Sequence, residues 1–171
     1  MNEIRWPEMF TPGMTDHFVS VEKILAGMNA AQIWPLIGRP TVWPQFHPRI
    51  AEVSFGQGEG VDLAPGSRFV FRIGDVVVNA ELAVLDAPTP HRPAQIAWIG
   101  RVNAGTENAV TAYFAWLIED LEGGRVRVLA QESLLGKPAL AMAGMRPDPA
   151  LNAHHDWLMN LVAAVGRQRA V

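Results

Sequence analysis

The chain has 171 residues and a formal net charge of −3. This length fits one domain, and so small a charge indicates neither nucleic acid nor an anionic membrane surface as a partner. Hydrophobic residues make up 49% of the chain and charged residues 18%, which allows a sizeable buried core. The lack of cysteine excludes disulfides, cysteine-ligated zinc and thiol nucleophiles. It also suits a reducing compartment, so we expect a cytoplasmic protein.

We expect an N-terminal arm over residues 1–16 and a single domain over residues 17–171. The arm mixes acidic and basic residues and contains two prolines, which is not the composition of a signal peptide. Because it shows no clear periodicity, we expect it to be loosely ordered. No apolar run in the chain approaches the ~20 residues that a membrane span needs.

The first elements of the domain are a strand and two short helices. Residues 17–27 alternate as a strand does and end at a glycine. Asn29 is a favourable helix N-cap, and Gln32 completes a capping box. Pro35 falls inside this helix and predicts that it is short or kinked. Residues 39–48 contain three prolines and predict one more helical turn.

The middle of the chain reads as antiparallel strands joined by turns. Strands are predicted over residues 49–56, 67–73, 76–87 and 94–102. A long hairpin over residues 107–136 follows and turns at a pair of glycines.

The C-terminal segment predicts one long amphipathic helix. Asp148 suits its N-cap and Pro149 its first position, and the helix extends to about residue 168. Its apolar residues recur at intervals of three and four, so we expect this stripe to lie across the sheet; they are Leu151, Leu158, Leu161, Val162 and Val165.

This order of elements resembles the START/SRPBCC superfamily, also called polyketide cyclase/dehydratase-like. Five short motifs in the same order carry the resemblance: AAQIWPLIGRPTVWPQFHP, LAPGSRF, IAWIG, GGRVRVLAQESLLG and HHDWLMNLVAAV. The resemblance implies an α+β helix-grip fold, in which a curved antiparallel sheet of about seven strands wraps around a long C-terminal helix. Members include carriers of lipids and other hydrophobic molecules, aromatic polyketide cyclases, hormone receptors and chaperone activators. Many bacterial members have no known ligand, so the fold alone does not decide the function.

One carboxylate stands out on the last predicted strand. Alternate residues from Val126 to Leu134 are apolar except for Glu132, so this face should point inward. A carboxylate is seldom buried without a partner, and its pKa is then raised, as suits a general acid or a ligand anchor. The alternative is a Glu at the cavity mouth, or one satisfied by a neighbouring Arg.

Large inward-facing residues predict an apolar cavity lining, although ordinary core packing explains such residues equally well. Trp34 and Trp43 flank the short helices, which in this fold close one end of the cavity, so they either gate a ligand or plug that end. Several relatives carry a polar residue, often His, where this chain has Phe114. The candidate cavity residues are Trp34, Trp43, Phe69, Phe71, Trp98, Phe114, Trp116, Glu132, Leu134, His154 and Leu158.

The string His154-His155-Asp156 looks like a metal site but does not have the geometry of one. Three consecutive helical residues point in different directions, at about 100° per residue, and zinc pairs on helices use positions i and i+4. We therefore expect no metal and no cofactor. His154 lies near the centre of the buried stripe, either opposite Glu132 in the cavity or as a packing histidine. Trp157 falls at the edge of the stripe, where we expect it to pack on the rim of the sheet.

These observations favour the binding of a small hydrophobic or aromatic ligand, lipid-like or polyketide-like, between the sheet and the C-terminal helix. One alternative is a polyketide cyclase/dehydratase-type enzyme with Glu132 and His154 as its catalytic candidates. A second is a protein-interaction module like the chaperone activators, which would expose a large apolar patch. Homodimers are common among domains of this size.

Overall fold

One antiparallel sheet and one long helix dominate the computed structural model, which describes residues 2–56 and 63–169. The strands of the described residues are β1 (His17–Ala26), β2 (Ile50–Phe55), β3 (Arg68–Ile73), β4 (Val76–Asp86), β5 (Ala94–Val102), β6 (Val110–Leu121) and β7 (Arg125–Leu135). The helices are α1 (Ala30–Ile37), α2 (Lys137–Ala143) and α3 (Pro149–Arg169), with 3₁₀ helices at Glu8–Phe10 and Pro40–Gln45.

The sheet has seven strands in the order β1-β7-β6-β5-β4-β3-β2. Every neighbouring pair is antiparallel, and β1, the first strand along the chain, lies at one edge of the sheet and pairs with β7, the last. Irregularities in the pairing of β2 and β4 are of the kind that bend strands. The predicted strands, the two short helical segments after β1 and the helix-grip architecture are confirmed.

Helix α1 is held at its N-terminus by its own cap and by the sheet. The Asn29 side chain accepts a hydrogen bond from the Gln32 N–H at 3.0 Å, and the Gln32 side chain accepts one from the Asn29 N–H at 2.9 Å. The Asp120 carboxylate at the end of β6 accepts a third from the Ala30 N–H at 2.7 Å. The predicted capping box is therefore confirmed, and Asp120 satisfies a further unpaired donor of the helix.

Helix α3 begins at its predicted cap. Asp148 Oδ1 accepts hydrogen bonds from the N–H groups of Ala150 at 3.0 Å and Leu151 at 3.2 Å. Its other oxygen lies 3.0 Å from His17 Nε2, so the same side chain joins α3 to the start of β1. No helix in the described part of the chain is long and apolar enough to cross a membrane.

The buried face of α3 differs from the predicted stripe at two positions. Leu151, expected on that face, is 40% exposed. Trp157, expected on the rim of the sheet, is almost fully buried and contacts aromatic rings of β3, β5 and β6. The predicted position of Trp157 was wrong because the centre of the stripe was taken from aliphatic residues alone, whereas the sheet also covers the indole.

Helix α2 was not predicted, because a seven-residue segment spans only about two turns and shows too little periodicity. Gly136 allows the chain to leave the sheet at this point. Its φ is +127°, and a Cβ there would lie 2.2 Å from the Ala109 carbonyl oxygen, so only glycine fits. The Gly136 N–H donates to Asp16 Oδ2 at 2.7 Å, which ties this corner to the end of the N-terminal arm.

The expectation of a loosely ordered arm is wrong for the described residues 2–16. Ile4 and Phe10 are buried against the outer face of the sheet, where they cover Tyr113, Leu117 and Leu129. The Phe10 ring stacks on Tyr113 with ring centroids 5.8 Å apart. Outward-facing apolar residues on β6 and β7 would otherwise be exposed, and burying them stabilises the arm.

Polar contacts hold the beginning of the arm. The Asn2 N–H and side-chain amide donate to Glu119 Oε1 at 2.9 and 2.6 Å. Arg127 donates to the Asn2 carbonyl oxygen at 2.8 Å and lies 3.5 Å from Glu119. Glu119 and Arg127 face outward on β6 and β7, so the same strands supply both the apolar and the polar contacts of the arm.

Replacing Phe10 with alanine tests the packing of the arm. Phe10 is fully buried at 0% exposure, whereas its neighbour Met9 is 61% exposed. We expect Phe10→Ala to lower the free energy of unfolding by about 3 kcal/mol, because it leaves a cavity over Tyr113. Met9→Ala should change it by no more than about 0.5 kcal/mol. Urea unfolding followed by circular dichroism measures both, and equal effects of the two variants would contradict the packed arm.

Candidate ligand-binding site

A cavity of about 610 Å³ lies between the first half of α3 and the inner face of the sheet. Strands β3 to β7 form its floor and walls, and α2 and the loop between β5 and β6 form its rim. Most of its lining is apolar, for example Phe71, Val78, Trp98 and Met142. This volume falls within the ~300–1,000 Å³ usual for small-molecule sites.

The end of the sheet near the short helices is filled by side chains. Trp43 is fully buried, and its ring contacts those of Phe69, Phe71, Trp98 and Trp157 at centroid distances of 4.9–5.9 Å. Its indole N–H donates to the carbonyl oxygen of Ile37 at 3.1 Å, which fixes the ring. Trp43 was expected either to gate a ligand or to plug this end of the cavity, and its close packing is that of a plug.

The structure divides the predicted cavity residues into two groups. Those that line the cavity are Phe71, Trp98, Phe114, Glu132, Leu134 and His154. The others do not line it, which corrects their assignment: Trp43, Phe69, Trp116 and Leu158 are buried in the hydrophobic core, and Trp34 is partly buried and packs against it. Alternation along a strand identifies the inward face, but it does not show which part of that face remains uncovered. That the first group contacts a ligand stays a prediction.

Several lining residues were not predicted. Pro138 and Met142 belong to α2, whose presence the sequence did not indicate. Trp157 lines the cavity beside His154, and its Nε1–H is buried without a hydrogen-bond partner among the described residues. Trp157 follows His154 by three residues and so lies on the same side of the helix. This spacing could have predicted that Trp157 lines the cavity.

Glu132 and His154 meet in the cavity wall. His154 Nε2 lies 3.5 Å from Glu132 Oε2. The other ring nitrogen, Nδ1, lies 2.8 Å from the Ala150 carbonyl oxygen. A carbonyl oxygen only accepts, so Nδ1 carries the hydrogen, and in the neutral ring Nε2 presents a lone pair towards Glu132. His155 and Asp156, the next two residues, are exposed.

Phe114 orients the imidazole ring. Its own ring stacks on Trp98 on one side and on His154 on the other, each at a centroid distance of 4.5 Å. Phe114 carries no polar group itself, but its stacking holds a polar ring in place. It supports the histidine supplied by α3.

Burial makes both members of the pair neutral. It raises the pKa of Glu132 from 4.5 to about 8 and lowers that of His154 from 6.5 to about 4, because each charged form loses its hydration. The Glu132 side chain is 17% exposed, and Glu132 lines the cavity. At pH 7 the cavity therefore contains a carboxylic acid that can donate a hydrogen bond next to an imidazole nitrogen that can accept one.

Within residues 2–56 and 63–169, no three His, Asp or Glu side chains are grouped closely enough to hold a metal ion.

The fold and the cavity can be compared with known proteins. No family model matches the chain, and no curated protein matches it. Among solved structures, hypothetical protein jhp0584 from Helicobacter pylori is 33% identical, with a TM-score of 0.88 over 96% of this chain and 97% of that one.

More distant structures share the fold. Ara h 8.0201 is 15% identical, with a TM-score of 0.56 over 90% of this chain and 99% of that one. Norcoclaurine synthase from Thalictrum flavum, a point mutant in complex with a transition-state analogue, is 12% identical, with a TM-score of 0.59 over 89% and 96%. The chain belongs to the START/SRPBCC helix-grip superfamily.

The pKa of Glu132 predicts how stability depends on pH. The folded chain keeps the Glu132 proton up to about pH 8, whereas the unfolded chain releases it near pH 4.5. Its contribution to stability is therefore complete below pH 4.5 and is lost as the pH rises towards 8. His154 acts in the opposite sense, and its contribution is complete above pH 6.5 and lost as the pH falls through about 4.

Above pH 6.5, of these two residues only Glu132 makes a contribution to the free energy of unfolding that changes with pH. We expect the free energy of unfolding to fall by about 2 kcal/mol between pH 6.5 and 8, and Glu132→Gln to remove most of that fall. Urea unfolding at several pH values measures it. The same slope in the variant and the parent chain would contradict a neutral, buried Glu132.

Proposed function

We propose that this protein binds a small, mostly apolar ligand with an aromatic or similarly flat ring system. The cavity between α3 and the sheet carries the proposal, because its wall combines a large apolar surface with the Glu132–His154 pair. Sites for small molecules have this composition: apolar side chains supply binding energy, and a few polar groups fix the orientation.

Access to the cavity supports a ligand that enters from solvent. The rim includes exposed residues at the start of β4 and in the loop between β5 and β6, namely Val76, Asn103 and Asn108. The opposite end is closed by Trp43 and its aromatic neighbours. A ligand therefore enters beside α2 and places its inner end near Glu132 and His154.

A second candidate function is acid–base catalysis of the cyclase or dehydratase type, favoured by the 3.5 Å separation of Glu132 and His154. In an enolisation, His154 Nε2 would take a proton from the carbon next to a ketone. Glu132 would give its proton to the ketone oxygen, and the reverse transfers would regenerate the ketone and the pair. The interaction-module alternative is less well supported, because a cavity of this size is not what such a module requires.

Binding is tested with the neutral fluorescent probe N-phenyl-1-naphthylamine. Because Trp98 and Trp157 line the cavity, we expect quenching of tryptophan emission together with enhancement of probe emission. Ala153→Phe fills the cavity from α3 and should weaken binding about tenfold or more, a loss of roughly 1.4 kcal/mol. Ala163→Phe is the matched control, since Ala163 is exposed on the same helix and its replacement should leave the affinity within about twofold.

Thermal unfolding verifies that both variants are folded. No binding to the parent chain, or equal weakening by the two variants, would overturn the proposed cavity as the ligand site.

The catalytic candidate is tested by deuterium exchange into the C1 methylene of 2-tetralone, followed by proton NMR in heavy water. Positioned acid–base groups typically contribute ~100-fold or more, so Glu132→Gln should slow the exchange by about that factor. An exchange rate no faster with the protein than in buffer would count against catalysis while leaving the binding proposal untouched.

A further inference from the structure

We propose that Glu132 and His154 together recognise a neutral hydroxyl group, so that the ligand is a phenol, an enol or an alcohol and not a carboxylate. This inference rests on the proposed function, since it assigns the polar group of a ligand in that cavity. One ligand oxygen would donate its proton to His154 Nε2 and accept a hydrogen bond from the Glu132 carboxyl group.

The acceptor half of this site follows from the histidine tautomer. The Ala150 carbonyl oxygen, 2.8 Å from Nδ1, commits that nitrogen to donation and leaves Nε2 as the acceptor. Nε2 is buried and has no hydrogen-bond partner among the described residues. An unpaired buried acceptor destabilises the folded chain, and a ligand that donates a proton to Nε2 would remove that cost.

The donor half is the carboxyl group of Glu132. Burial raises its pKa to about 8, so at pH 7 it carries the proton that a hydroxyl oxygen needs. Burial also favours the neutral form of the imidazole ring, and it lowers the pKa of His154 to about 4. The pair therefore presents one donor and one acceptor and no net charge.

The spacing of the pair fits a single bridging atom. Nε2 and Oε2 are 3.5 Å apart, which is long for a direct hydrogen bond. An oxygen at the usual ~2.8 Å from each forms a triangle with them, and both residues line the cavity.

Other polar groups satisfy only part of this arrangement. A carboxylate has no proton for Nε2, an ether oxygen accepts but does not donate, and a bare hydrocarbon leaves both protein groups unpaired. Sites built to hydrogen-bond a hydroxyl reject analogues without it, because the buried polar groups of the site are then left without partners.

A matched series of ligands tests the inference on the unmodified protein. The ligands are naphthalene, 2-methoxynaphthalene, 2-naphthol and 2-naphthoate, each competing with N-phenyl-1-naphthylamine at pH 7. We expect 2-naphthol to bind about tenfold or more tightly than naphthalene, consistent with the net strength of two hydrogen bonds. The methoxy compound should bind more weakly than 2-naphthol, because it leaves Nε2 without a proton donor, and 2-naphthoate should bind most weakly.

Two variants test whether the preference for 2-naphthol depends on His154. His154→Phe keeps a ring that can stack on Phe114 and removes the acceptor, so the preference for 2-naphthol over naphthalene should fall to about twofold or less while naphthalene still binds. His155→Phe, at the exposed neighbouring position, should keep the full preference.

The outcomes separate this inference from the proposed function. If naphthalene and 2-naphthol bind equally well, the hydroxyl site is wrong and the apolar cavity stands. If 2-naphthoate binds most tightly, or if His154→Phe keeps the preference for 2-naphthol, the assignment to this pair is overturned. If neither the probe nor any of the four ligands binds, the proposed function itself fails.

Discussion

The packing of Trp157 against the sheet is the contact on which the rest of the structure depends. One indole of α3 touches aromatic rings of β3, β5 and β6, and it also touches Trp43 beside the short helices. It therefore sets how closely α3 lies over the sheet. Because large rings fill the end near Trp43, the space left open lies towards α2 and the first turns of α3. Aromatic rings are worth more here than their buried area alone suggests, since many of the pairs adopt edge-to-face geometry.

A buried acid beside a buried histidine contributes little to folding. An apolar side chain in the place of Glu132 would fill the same wall without a desolvation cost, and unpaired polar groups in a core destabilise it. Most of the inner face follows the ordinary rule that apolar residues point inward, and the polar residues His17 and Asp120 on that face have partners at the N-terminal ends of α3 and α1. A local departure from that rule that lies in a cavity and is supported by a stacked ring and a fixed tautomer is typical of a functional site. The same Asp148 that caps α3 also contacts His17 of β1, so the helix that supplies His154 is fixed at its first turn.

The prediction of local structure succeeded where the cause lies within a few residues. Asn29 and Gln32 cap α1 through atoms three positions apart, and Asp148 caps α3 through the N–H groups two and three positions on. Alternation along β7 placed Glu132 on the inner face, because the two faces of a strand repeat every second residue. Helix α2 escaped prediction because it is short, and the arm was misread because its partners on β6 and β7 lie more than a hundred residues away.

By itself the sequence determined the strands, the helix caps, the inward position of Glu132 and the likeness to a helix-grip fold, since each depends on local spacing or short motifs. Only the tertiary structure decided where the cavity lies, because a void is what remains after distant side chains have packed. Trp43 and Phe69 face inward as Trp98 does, yet they fill one end of the core while Trp98 borders the open space. The tertiary structure also brought His154 to 3.5 Å from Glu132, a distance set by how α3 crosses the sheet. No periodicity along the chain encodes that crossing.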